Sequence, residues 1–267
     1  MKRFTVFLFG IISYLIFFGT FVYAIGFVGN LIVPKSIDSG ATGAFWPSLL
    51  VNLGLLGLFG LQHSGMARPG FKRWWTRIIP KAIERSTYVL LASLALILLY
   101  WLWRPMPELV WSVGAAWART ALWALYGLGW GLVLVATFMI SHAHLFGVSQ
   151  VRDYLMRREL WQPGFQTPGL YRHIRHPIMT GFFIAFWAAP DMSAGRLLFA
   201  IVTTGYILVA LQLEERDLVR AFGDLYESYR RRVPMFIPRV GRARMAPPSE
   251  AVSTGPTGAH STDHARG

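Results

Sequence analysis

Four long apolar runs separated by polar segments set the pattern of the chain, and a pair of shorter runs follows them. The long runs lie at about Phe4 to Val28, Phe45 to Met66, Ser86 to Trp103 and Thr120 to Ile140. Each approaches or exceeds the roughly 20 residues that a helix needs to cross a bilayer. The fifth run, Pro177 to Ala189, has only 13 residues before Pro190-Asp191 interrupts it, and Leu197 to Leu213 follows at once. These two read as a helical hairpin whose first arm is tilted or sheltered by protein. The pattern predicts an all-α, polytopic transmembrane helical bundle of about five to six membrane segments that ends in this hairpin. Gly54, Gly57 and Gly60 in the second run, and Gly127 and Gly131 in the fourth, are expected to let helices pack closely. Trp101 and Trp103, with Trp111 and Trp117, fit an aromatic belt at one interface.

Charge adds direction to that picture. There are 26 Lys+Arg against 13 Asp+Glu, and the basic residues gather in alternate loops. Six fall between Arg68 and Arg85 and five between Arg152 and Arg175, whereas the intervening loops hold few. By the positive-inside rule the amino terminus, these two loops and the carboxyl side of the hairpin face the cytoplasm. This distribution explains the basic excess through the lipid bilayer, and no nucleic-acid motif accompanies it. The spans leave no room for a soluble domain, so residues 1–240 form one integral-membrane domain, with spans in 1–145 and a polar, site-bearing core in 162–238. Residues 241–267, rich in Pro, Ser, Thr, Gly and Ala without apolar periodicity, are expected to form a disordered tail.

Candidate chemistry concentrates in Tyr171-Arg172-His173-Ile174-Arg175-His176-Pro177-Ile178-Met179-Thr180-Gly181, where a basic run meets the apolar hairpin. Pro177 suits the first helical position, which places Arg175 and His176 at a helix N-terminus able to hold a carboxylate or phosphate. The hairpin brings these residues near Glu214 and Glu215 at the end of its second arm. Two readings stay open on the residues alone: a paired cation and anion site for a zwitterionic ligand, or a salt bridge that closes the hairpin. Tyr226 and Tyr229 share a helix face. The chain has no cysteine, which removes disulfides, thiolate ligands and a cysteine nucleophile. No metal is expected, because His142 and His144 are two apart and no His-Glu-x-x-His signature occurs. The glycines around Gly129 follow no strand and have the wrong spacing for a dinucleotide fingerprint.

Arg175-His176-Pro177, together with Thr167-Pro168-Gly169-Leu170-Tyr171 upstream and Glu214-Glu215, Phe222-Gly223, Tyr226, Tyr229 and Val233-Pro234 downstream, resembles the isoprenylcysteine carboxyl methyltransferase family of membrane enzymes. Gln62 to Arg68, Glu84 to Tyr88, Trp103-Arg104-Pro105 and His144 to Gly147 resemble its NnrU-like subgroup, and the chain as a whole looks most like the bacterial methanethiol S-methyltransferases, which make dimethyl sulfide. The resemblance implies S-adenosyl-L-methionine as methyl donor, held by Tyr171, Arg175, His176, Pro177, Ile178, Met179, Glu214 and Glu215, and a small volatile thiol as acceptor. It also implies a bacterial inner membrane with the donor site facing the cytoplasm. The turn from Pro163 to Gln166 aligns with a donor-contacting segment through its backbone. One departure stands out: the family's arginine for a prenylcysteine substrate falls where this chain has Ala210. His63, His142 and His144 are candidates for the base that deprotonates a thiol, and Arg85 for the cation that stabilises the thiolate. Another thiol or a lipid-like acceptor, and a non-enzymatic membrane factor or transporter, remain as alternatives.

Overall fold

A computed structural model describes residues 2–160 and 164–238. The expected tail, 241–267, lies outside these residues, as do Gln162 and Pro163 of the expected core and turn. In chain order the helices are α1 (Lys2–Gly29), α2 (Phe45–Ala67), α3 (Pro69–Trp75), α4 (Lys81–Leu102), α5 (Ala116–Met139), the single turn α6 (His142–Leu145), α7 (Val148–Leu155), α8 (Pro177–Trp187), α9 (Ala194–Phe222) and α10 (Asp224–Arg232). A 3-10 turn, Gly169–Arg172, precedes α8. Among the described residues α1, α2, α4, α5 and α9 are long and apolar enough to cross a bilayer. The molecule is a polytopic helical bundle, as the pattern predicts, because backbone groups in hydrocarbon must bond within their own segment.

Helix ends and apolar boundaries differ. The fourth-helix span starts at Lys81 rather than Ser86, since Pro80 precedes a charged turn that is itself helix-forming. Likewise α9 runs through Glu214 and stops only at Gly223, whose φ of +52° breaks the helix. Leu213 marks where lipid gives way to water, and the helix continues past it.

The hairpin has an unforeseen junction. At 11 residues, α8 rises about 16 Å, roughly half of a bilayer core. Beyond it Ala188, Ala189 and Pro190 are buried in protein, where a non-helical backbone is tolerated. The chain then forms β2 (Asp191–Ser193), which pairs antiparallel with β1 (Leu109–Ser112) between α4 and α5. This ribbon closes one end of the bundle. Arg119 grips Asp191 at 2.6 Å, Ser112 Oγ donates to the same carboxylate at 2.6 Å, and Ser193 Oγ donates to Asp38 at 2.5 Å. Trp101 is exposed, as a belt residue should be, but Trp103 is 1% exposed and donates its indole N–H to the Ile37 carbonyl at 3.0 Å. Trp103 therefore belongs to the core, with Phe27, Leu99, Tyr100 and Phe199.

Close helix packing is also relocated. A Cβ on Gly127 or Gly131 would meet nothing within 4 Å, whereas one on Gly129 would stand 2.6 Å from the Ala185 nitrogen and 2.7 Å from the Gly181 carbonyl. Gly181 is reciprocally blocked by the Gly129 carbonyl at 2.7 Å. The two glycines bring α5 and α8 backbone to backbone and so set the depth and angle of α8. In α2, Gly54 and Gly57 face open space, and Gly60 alone of the three lies under a neighbour, the ring of Tyr206.

Candidate active site

The end opposite the ribbon gathers the polar side chains. Pro177 occupies the first turn of α8 and His176 caps it, as its missing N–H favours. The approach is fixed by backbone bonds. Gly169, at φ +51°, turns against Met139, where a Cβ would stand 2.7 Å from the sulfur. The Tyr229 hydroxyl donates to the Tyr171 carbonyl at 2.6 Å, and Tyr171 in turn donates toward the Ala136 carbonyl at 3.4 Å. The segment after α10 then folds back: the Arg175 and His176 amides donate to the Pro234 and Met235 carbonyls at 2.9 and 3.2 Å. The Thr180 hydroxyl holds the Phe236 carbonyl at 3.2 Å.

Glu215 sits at the centre of this frame, 6% exposed. One of its oxygens meets both Arg175 Nη1 and His176 Nε2, the latter at 3.1 Å, and Arg230 approaches the other at 4.0 Å. A buried carboxylate needs such partners, because unpaired it would carry a desolvation penalty of several kcal/mol. Glu214, the next residue along α9, is rotated by roughly 100° and is exposed, making no ion pair among the described residues. Its charge reaches Tyr171 and Tyr226, and also Tyr88 on α4 and Tyr206 on α9. Burial, reinforced by Glu215, pushes the Tyr226 phenol up to about 12. Burial likewise pushes up Tyr171 and Tyr229. All three phenols therefore stay protonated at neutral pH; Tyr171 and Tyr229 give their protons to backbone carbonyls, which leaves Tyr226 able to donate to a ligand. Phe165 packs on Phe222, Tyr226 and Tyr229, with ring centroids 5.3 to 5.8 Å apart, and covers this surface. Pro177 is fully buried, while Ile178 and Met179 are partly buried in the first turn of α8.

The candidate bases separate. His63, on α2, has Nε2 2.9 Å from the Tyr88 hydroxyl and stacks on Phe59 at 5.1 Å. Arg85 lies over the Tyr88 ring at 6.0 Å. His142 lies against α1 and the end of α5: its two ring nitrogens meet Tyr14 Oη at 3.0 Å and Thr137 Oγ1 at 2.8 Å, and it stacks on Phe138 at 4.2 Å. His144 contacts Gln150 Nε2 at 3.2 Å and feels the charges of Arg85, Asp153 and Lys72. Burial lowers both His142 and His144, so each is neutral at pH 7. The fold thus joins His63 and Arg85 to the Glu214 side and leaves His142 with α1.

Residues missed in the sequence complete the enclosure. Tyr88 and Tyr206 each carry a hydroxyl within an apolar span, a polar group that needs a partner at membrane depth, and that need is the signal that could have flagged them. Arg68 anchors the rim through Asp217 at 2.9 Å. Two buried polar atoms, Arg175 Nε and Tyr226 Oη, have no hydrogen-bond partner among the described residues, although Arg175 is near enough to pull the phenol's pKa down. A carboxylate unpaired among the described residues, near a partly unsatisfied buried guanidinium and the unpartnered Tyr226 hydroxyl, suits a ligand that carries both a cation and an anion.

Fold and site together define a polytopic membrane protein with a polar, two-signed site at one end of its bundle. Over 238 residues the chain is 57% identical to the methanethiol S-methyltransferase of Mycobacterium tuberculosis, covering 89% of this chain and 98% of that one. It is 49% identical over 242 residues to the methanethiol S-methyltransferase of Crocosphaera subtropica, with 91% and 95% covered. Nurim of Bos taurus is a more distant relative, 32% identical over 180 residues, 64% of this chain and 68% of Nurim. No family model and no solved structure matches. The chain belongs to the methanethiol S-methyltransferase family.

Proposed function

We propose that this protein transfers a methyl group from S-adenosylmethionine to methanethiol, giving dimethyl sulfide, at the cytoplasmic end of its bundle in a bacterial inner membrane. The activity follows the relatives of about half or more identical sequence that carry that name. The observation that carries the site is the division of labour between two adjacent carboxylates. Glu215 is consumed by Arg175 and His176, which leaves Glu214 outside any ion pair among the described residues, its charge reaching Tyr171 and Tyr226.

When bound, S-adenosylmethionine supplies an electrophilic methyl on a sulfonium. Its charged groups match the residues present: Glu214 and the Tyr226 hydroxyl would hold cation and hydroxyls and Arg175 the carboxylate, with His176, Pro177, Ile178 and Met179 beside them. The protein's own contribution is orientation and control of the acceptor's proton. A small alkanethiol is mostly protonated at neutral pH, and the thiolate is the nucleophile. His63 is the base favoured by position, with Arg85 as the cation beside it. His142 already has both nitrogens engaged, and His144 is the second candidate. Basic residues between Arg68 and Arg85 support the cytoplasmic orientation.

Purified protein in detergent, given labelled S-adenosylmethionine with methanethiol, ethanethiol and a farnesyl-cysteine analogue, tests the reading. We expect labelled dimethyl sulfide, lost in His176→Ala and Glu214→Ala variants that remain folded. Label in farnesyl-cysteine ester instead would overturn the choice of acceptor.

A further inference from the structure

One strip of α2, made by Phe59, Gly60, His63 and Ser64, fixes two phenols from different helices. Tyr206 arrives from α9: its hydroxyl accepts from Ser64 Oγ at 3.1 Å, and Phe59 meets its ring edge-on at 6.1 Å. Gly60 leaves the ring its place, since a Cβ there would stand 3.1 Å from it. Tyr88 arrives from α4 with its hydroxyl 2.9 Å from His63 Nε2 and 3.1 Å from Nδ1. Positions three and four apart share a helix face, so this strip holds both rings in fixed positions relative to each other. Arg85 from α4, Arg68 between α2 and α3, and Glu214 from α9 are the groups whose charge reaches Tyr88, and the charge of Arg85 also reaches His63. That of Glu214 reaches Tyr206 as well.

We propose, on the methyltransferase reading above, that this strip is the thiol pocket, with Tyr88 as the group that receives the acceptor's proton and Tyr206 as the wall that limits its alkyl chain. The S–H proton passes to the Tyr88 oxygen as the phenol's own proton passes to His63, and the S–H electrons stay on sulfur. That sulfur forms the new C–S bond to the donor's methyl, while the donor's C–S bond breaks and leaves its pair on the donor sulfur. One proton remains on His63, and the positive charge of Arg85 favours its release to water. A phenol oxygen suits this task because it can accept one proton while donating another. Ring walls on both sides give the methyl group of a one-carbon thiol its contacts.

The experiment compares wild type, Tyr88→Phe, His63→Gln and Tyr206→Ala, purified in detergent. For each, it records melting temperature, S-adenosylmethionine affinity, methyl transfer across pH, and affinity for dipropyl sulfide, an unreactive probe of the pocket, without donor. Tyr88→Phe should keep the donor affinity and melting temperature and lose about 100-fold in kcat at neutral pH, the scale of one acid–base group. Its rate should then climb about tenfold per pH unit toward the pKa of the free thiol, as solution thiolate replaces the relay. His63→Gln, which keeps a hydrogen bond and cannot take up a proton, should show the same profile. Tyr206→Ala should raise dipropyl sulfide affinity about tenfold and move selectivity toward propanethiol by a similar factor. Wild-type rate and pH profile in Tyr88→Phe, with transfer intact in wild type, would overturn the relay. A selectivity unchanged in Tyr206→Ala would overturn the wall. Absence of transfer to any thiol by wild type would instead remove the methyltransferase reading, and the pocket with it.

Discussion

The two ends of the bundle both bring charge into a mostly apolar molecule, and they treat it differently. At the ribbon end Asp191 is held by Arg119 and Ser112 and Asp38 by Ser193, while Arg196 lies over the Tyr126 ring at 5.6 Å with its Nε and Nη2 buried and without a hydrogen-bond partner among the described residues. At the opposite end Glu215 is well matched, but Glu214 makes no ion pair among the described residues, and its charge reaches Tyr171 and Tyr226. Paired charge closes and orients a structure, while charge left facing donors invites a ligand. Within the opposite end, the boundary between the two treatments is one residue wide, the step from Glu215 to Glu214.

Perturbing that step should separate the two roles. Glu215→Ala strands Arg175 and His176 in a buried setting, and we expect a loss of about 3–5 kcal/mol, seen as a large drop in melting temperature in detergent. Gly129→Ala should cost about 1–3 kcal/mol through overpacking against α8. Because His176 caps α8, donor affinity should fall along with melting temperature, and a variant with unchanged affinity would show that the site tolerates movement of α8. Glu214→Gln should do the reverse of Glu215→Ala: melting unchanged, donor affinity down roughly 10- to 100-fold, the worth of a hydrogen bond to a charged group, measured by calorimetry. If Glu214→Gln destabilised the fold as Glu215→Ala does, the division of labour would fail.

The smallest effect belongs to the ribbon end. Arg119 holds the Asp191 carboxyl down at about 2, mainly through its hydrogen bonds. A depressed acid stabilises above its unfolded value, near 3.9, and loses that contribution as pH falls from there through about 2. The clamp should thus persist at pH 4. Both side chains are substantially exposed, so Arg119→Ala should leave methyl transfer unchanged and shift melting only slightly. A loss of activity in that variant would mean that the ends are coupled.

Much of this plan was legible in the sequence. Long apolar runs, Pro190 as the hairpin break and Pro177 as the start of α8 are local signals, and each acts through backbone chemistry. Which carboxylate of Glu214-Glu215 would turn toward Arg175 was not legible, because neighbours on a helix differ by rotation about an axis that packing alone orients. The same holds for Gly129 against Gly127 and Gly131: the spacing is visible, but the face that meets α8 is not. Trp103 read as a belt residue because nothing local distinguishes it from Trp101. Tyr88 and Tyr206 come from helices far apart in the chain and meet only through α2, so no motif could join them.

The backbone bonds from Arg175 and His176 to Pro234 and Met235 also set an order of events during synthesis. All the long helices precede Pro234 and can enter the membrane while the ribosome is still at work. The entrance to α8 is tied down only when the last of these residues has emerged. A chain halted just before Pro234 would therefore be an inserted protein whose polar end is unfinished, and the emergence of Pro234 and Met235, rather than insertion, would be the moment at which that end is tied down.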